Sequence, residues 1–97
     1  MAAESALLVV LHASAMRTSL VTGANRGIGL EYCRQLKARG DEVVAVCREP
    51  GPELEALGVR IEAGVELTDT DAVAALMLRL KGVTLDLAIL NAGVLQS

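Results

Sequence analysis

The stretch that most constrains this chain is Thr22-Gly23-Ala24-Asn25-Arg26-Gly27-Ile28-Gly29. It follows the short apolar run Ser19-Leu20-Val21 and precedes Leu30 to Arg39, a helix-like segment that Gly40 stops. Strand, glycine-rich turn and helix, in that order, form the context in which closely spaced glycines hold a nucleotide. Gly23 lets the chain leave the strand through a conformation that a Cβ would obstruct. Gly27 brings backbone N–H groups close to a pyrophosphate at the positive end of the helix dipole. Gly29 lets the first helical turn pack directly on the strand. Asn25, Arg26 and Ile28 fill the spaces between the glycines and are candidate contacts of the same ligand. Three glycines at one turn argue against a plain strand-to-helix connection.

The remaining segments repeat the strand–helix alternation. With 53% apolar residues and Tyr32 as the one aromatic, valine, leucine and alanine must fill the interior, as in a parallel sheet covered by helices. Glu42 to Cys47 reads as a second buried strand, broken by Arg48-Glu49-Pro50-Gly51-Pro52. A short helix over Glu53 to Leu57 follows, and a third strand lies within Val59 to Leu67. That strand alternates at first, which places it near a sheet edge. Thr68 to Asp71 offer several capping oxygens before a helix over Ala72 to Lys81, with Asp69 read as a helix cap and Thr68 and Asp71 at capping-box spacing. Val73, Leu76, Met77 and Leu80 form its apolar face, and Gly82 ends it. Leu85 to Leu90 is the fourth strand and runs into Asn91-Ala92-Gly93. The order β-α-β-α-β-α-β is that of the first half of a doubly wound α/β domain, with the first strand between the second and fourth and the third outside the second.

Residues 16–97 are the expected folded unit, and residues 1–15 an N-terminal extension outside it. Ala6 to Leu11 is apolar and Ala13-Ser14-Ala15 has the small residues of a cleavage site, but no Lys or Arg precedes the run, which is short for a signal core. The net charge of −3 and the lack of a basic stripe argue against nucleic acid as a partner. Cys33, Cys47 and the single histidine, His12, form no metal-binding or disulfide pattern, so buried reduced thiols in a cytoplasmic protein are expected. No run has membrane-spanning length, so no membrane partner is expected.

The spacing Gly-x-x-x-Gly-x-Gly differs from the common dinucleotide fingerprint Gly-x-Gly-x-x-Gly. With Thr22 in front, it resembles the signature Thr-Gly-x-x-x-Gly-x-Gly of the classical short-chain dehydrogenase/reductase family. Thr22, Gly23, Gly27 and Gly29 match that signature position by position. Asn91-Ala92-Gly93 is similar to the family's Asn-Asn-Ala-Gly motif, with Leu90 in place of the first Asn. The resemblance covers residues 16–97 and implies the first half of a Rossmann-like fold that binds a dinucleotide cofactor. It also implies a parent enzyme, a homo-oligomer, that interconverts carbonyls and alcohols by hydride transfer. Asn91 would tie neighbouring loops together, Ala92 and Gly93 would leave room for the adenosine ribose, and Glu66 and Leu67 would meet the adenine.

Cofactor choice is legible after the second strand. A fold that prefers NAD(H) sets a carboxylate there against the ribose hydroxyls. Here Cys47 holds that place and Arg48 follows, while Arg26 approaches from the glycine turn. A guanidinium holds a 2′-phosphate by charge-assisted bonds, so NADP(H) is expected over NAD(H). A P-loop phosphotransferase is excluded, because no Lys-Ser/Thr follows the glycines. The family's catalytic Ser and Tyr-x-x-x-Lys come after the Asn-Ala-Gly motif. Tyr32 has Leu36 four residues on and is expected to face packing, and Ser97 lacks a partner base. No catalytic residue is therefore assigned and inactivity of the chain alone is expected. The alternative is a non-catalytic nucleotide-binding or interaction module. The fourth strand would be an open edge, so the isolated chain is expected to self-associate, and a lysine at Ile89 to relieve this.

Overall fold

A computed structural model describes residues 16–91. The N-terminal extension, Ala92, Gly93 and Ser97 lie outside the described residues. The elements are β1 (Thr18–Thr22), α1 (Gly27–Arg39), β2 (Glu42–Val46), α2 (Pro52–Ala56), β3 (Arg60–Glu62), α3 (Thr70–Arg79) and β4 (Leu87–Ile89). The four strands are parallel, in the order β3-β2-β1-β4 expected of the doubly wound pattern. Val21 of β1 stands opposite Ala45 on one side and Ile89 on the other, which aligns the carboxyl ends of three strands.

Strand alternation divides the core between two faces. Val21, Val43 and Ala45 pack under Leu30, Cys33 and Leu36 of α1 and Leu54 of α2, with Leu87 and Ile89 against them. Leu20, Val44 and Val46 face the other way, under Leu76 of α3 and its C-cap Leu80 and beside Val65. Each fully buried leucine or valine contributes about 1.5–3 kcal/mol. The central strands are covered on both faces, which is why β2 reads as a continuous apolar run from Val43 to Val46.

The helix limits follow local chemistry. α1 ends as expected at Gly40, whose φ of +101° turns its N–H back to the carbonyls of Leu36 and Lys37. α3 begins two residues earlier than the apolar pattern suggests, because Asp69 caps it. Its carboxylate accepts from the N–H groups of Asp71 and Ala72 at 3.0 and 3.3 Å. The expected capping box at Thr68 does not form; the Thr68 hydroxyl donates to Glu66 instead.

Three sequence-based placements need correction. Met77 is not part of the apolar face of α3 and is 67% exposed. It stands about 60° around the helix from the stripe of Val73, Leu76 and Leu80, on a flank that no described element covers. Tyr32 is 40% exposed rather than packed, because Leu30, Cys33 and Leu36 occupy the inward stripe of α1. Ile89 is partly buried against the α1 side of the core, so a lysine there would strike the packing rather than blunt the edge.

Polar groups secure the ends of the strands. The buried Ser19 hydroxyl donates to Asp41 Oδ2 at 2.6 Å, and Arg39 donates to the same carboxylate. Glu62, nearly buried at the end of β3, accepts from Arg79 Nε at 2.5 Å and Arg60 Nε at 2.8 Å, which fastens α3 to the sheet edge. No helix among the described residues is long and apolar enough to cross a membrane.

Candidate functional site

Open parallel sheets bind ligands beyond the carboxyl ends of their strands. Here β1, β2 and β4 deliver the glycine turn, the Arg48 loop and Asn91 to that end. A cavity of about 220 Å³ exists at the opposite end, where Glu42 and Arg60 begin β2 and β3. It has no connection with the residues singled out by sequence.

The glycine turn is a close-packed object on one side and open on the other. A Cβ at Gly29 would sit 2.0 Å from the carbonyl oxygen of Gly23, so α1 rests directly on the strand exit. A Cβ at Gly27 would meet nothing within 4 Å, but its φ of +60° is a conformation that side chains rarely adopt. Arg26, the N-cap of α1, makes no side-chain cap, and the first turn holds no acidic residue. No acceptor among the described residues takes the N–H groups of Gly27, Ile28 or Gly29. Orphan donors at the positive end of a thirteen-residue helix are suited to an anion. Ile28 stands 66% exposed at the lip of this turn.

Asn91 locks the turn from β4. Its N–H donates to Thr22 Oγ1 at 2.9 Å, the Thr22 hydroxyl donates to its carbonyl at 3.4 Å, and its amide Nδ2 donates to the Gly23 carbonyl at 3.3 Å. The tie expected of the Asn91 amide is thus present. Asn25 does something the sequence did not reveal. Its Oδ1 accepts from the Gly51 N–H at 2.5 Å, and the Ala24 N–H donates to the Val46 carbonyl, so the glycine turn is clasped to the loop after β2. An Asn in a turn carries a general signal for backbone capture, but not for a partner 26 residues away.

The loop after β2 carries the charge. Cys47 is buried in the core beside Cys33, which leaves Arg48 as the first side chain of the loop to reach solvent. Both thiols are free; burial pushes Cys33 up to about 11 and raises Cys47 as well. Arg48 Nε lies 3.3 Å from Glu66 Oε1, and Thr68 Oγ1 donates to Glu66 Oε2 at 3.2 Å. Leu67 is 47% exposed beside them. The expectations for Ala92 and Gly93 lie outside the described residues. No group of His, Cys, Asp or Glu among the described residues could hold a metal ion.

This geometry agrees with the comparison to known sequences. The family model for short chain dehydrogenases matches residues 17–97. The chain belongs to the short-chain dehydrogenase/reductase family. It is 45% identical over 82 residues to 1-hydroxy-2-glutathionyl-2-methyl-3-butene dehydrogenase of Rhodococcus sp. (strain AD45), a match covering 82% of this chain and 36% of that enzyme. A short-chain dehydrogenase/reductase from Burkholderia multivorans, solved with bound NADP, superimposes with a TM-score of 0.74 at 32% identity, over 80% of this chain and 37% of that one. Salutaridine reductase from Papaver somniferum superimposes with a TM-score of 0.69 at 35% identity, over 79% and 30%. This member of the short-chain dehydrogenases therefore spans about a third of the length of the Rhodococcus relative. Its departure from the family's Asn-Asn-Ala-Gly motif, Leu90, is 75% exposed.

Proposed function

We propose that this chain binds NADP(H) at the carboxyl ends of its strands, as the cofactor-binding part of a dehydrogenase that interconverts carbonyls and alcohols. The observation that carries the reading is the uncapped N-terminus of α1, with three N–H groups unpartnered among the described residues, Arg26 at its N-cap, and the loop that carries Arg48 clasped to the turn through Asn25. The NADP held by the Burkholderia neighbour supports it. In this reading the N–H groups of Gly27 and Ile28 and the helix dipole hold the pyrophosphate. Arg48 and Arg26 take the 2′-phosphate, Glu66 and Leu67 lie at the adenine, and Ala92 and Gly93 leave room for the adenosine ribose. Gly23, Asn25, Gly29 and Asn91 shape the cradle and keep it closed against the sheet. The cofactor, when bound, supplies or accepts the hydride.

We also propose that this chain alone does not turn over a carbonyl substrate. General acid catalysis by a positioned group is worth about 10²–10⁴-fold. The one tyrosine, Tyr32, has Leu36 rather than a lysine four residues on, so it lacks the partner of a Tyr-x-x-x-Lys pair. Calorimetric titration tests the cofactor assignment. NADPH binds more tightly than NADH, and Arg48→Ala costs about 1.5–3 kcal/mol for NADPH alone, the worth of a charge-assisted contact. Equal affinities that the substitution leaves unmoved would overturn the preference. Turnover by the purified 97-residue chain that disappears in Tyr32→Phe would overturn the proposed inactivity.

A further inference from the structure

We propose that Glu66 sets the degree of NADPH selectivity by competing with the 2′-phosphate for the Arg48 guanidinium. The inference rests on the NADP(H) reading above and gives that site a regulator of its ligand preference. Two backbone hydrogen bonds lay the segments side by side: Gly64 N–H to the Arg48 carbonyl at 2.8 Å and Val65 N–H to the Cys47 carbonyl at 3.1 Å. Residues 48 and 66 are therefore neighbours whatever their side chains do. On that frame, Arg48 Nε stands 3.3 Å from Glu66 Oε1, while Thr68 Oγ1 holds the other carboxylate oxygen at 3.2 Å. Thr68 aims the carboxylate, and the carboxylate engages the arginine.

The exposure of the pair decides how it acts. The Arg48 side chain is 76% exposed and that of Glu66 36%, so water screens their attraction and the contact is weak. A phosphate dianion, with more charge and more acceptor oxygens, displaces the carboxylate from the guanidinium. The displaced carboxylate stays tethered beside the phosphate and reduces its net gain. NADH carries no 2′-phosphate to contest the guanidinium, so the same pair leaves its affinity nearly unmoved.

The test is titration of NADPH and NADH into the full chain and its Glu66→Gln, Glu66→Asp and Arg48→Ala variants. Glu66→Gln is expected to raise NADPH affinity about two- to fivefold, the range open to an exposed ion pair, without strengthening NADH. Glu66→Asp, one methylene too short to keep Arg48, is expected to move NADPH in the same direction. In an Arg48→Ala background the Gln substitution is expected to leave NADPH affinity unchanged, because the contested group is gone. An NADPH-to-NADH affinity ratio that stays constant or falls in Glu66→Gln, or an equal gain with and without Arg48, overturns the role of Glu66 and leaves the cofactor reading standing. A wild-type chain that binds neither nucleotide overturns the cofactor reading itself.

Discussion

A methyl group at Gly29 would lie 2.0 Å from a backbone oxygen, whereas one at Gly27 would have open space around it. The two positions share a motif but not a mechanism. Gly29→Ala is expected to destabilise the chain by about 3 kcal/mol, as overpacking against backbone does. Gly27→Ala has only its left-handed conformation to sustain, a cost of about 1–2 kcal/mol, and weakens NADPH binding beyond that. Urea unfolding of both variants checks the order, and equal losses would count against it. The thiols give a second residue-scale expectation. With burial raising both, Cys33 and Cys47 resist iodoacetamide at neutral pH until urea opens the core. The glycine spacing was legible because the positive φ of Gly23 and Gly27 and the contact of Gly29 with the Gly23 carbonyl lie within the turn itself. The hold of Asn25 on Gly51 was not, since it depends on a partner brought near only by the finished sheet.

Elements were legible where one local pattern governed them. Val43 to Val46 reads as a buried strand in any parallel sheet, and the structure has β2 there. At α3 two capping residues competed, and the apolar face alone placed the helix too late. Asp69→Ala is therefore expected to cost about 1 kcal/mol, with Thr68→Ala leaving the helix intact. Helical circular dichroism followed through thermal unfolding separates the two. β3 hid a different feature. Arg79 and Arg60 enclose Glu62 and hold its carboxyl below the usual range. A depressed folded-state pKa adds stability that is complete above the unfolded value of about 4.3 and is lost as pH falls through the folded value. Acid unfolding should thus begin below about pH 4. Glu62→Gln should lower stability at neutral pH by about 1–2 kcal/mol and flatten that acid limb.

Across the whole molecule, the strand order leaves β4 with β1 as its one neighbour among the described residues. Leu87 and Ile89 turn toward α1, while Ala88 is exposed on the α3 side. An unpaired strand of this kind templates another, so the 97-residue chain should show concentration-dependent mass in sedimentation. Ala88→Lys should lower that association at little cost in stability, and Ile89→Lys should unfold the chain instead. A strict monomer over a wide concentration range would refute the expectation. The hydrogen bonds between Thr22 and Asn91 also bear on how the protein is made. They close across 69 residues, whereas Ala24 meets Val46 across a far shorter loop. On a ribosome, the β1–β2 pair can therefore form while the glycine turn is still without its bolt. A nucleotide therefore meets the fully bolted turn only after Asn91 has been made and has closed on Thr22.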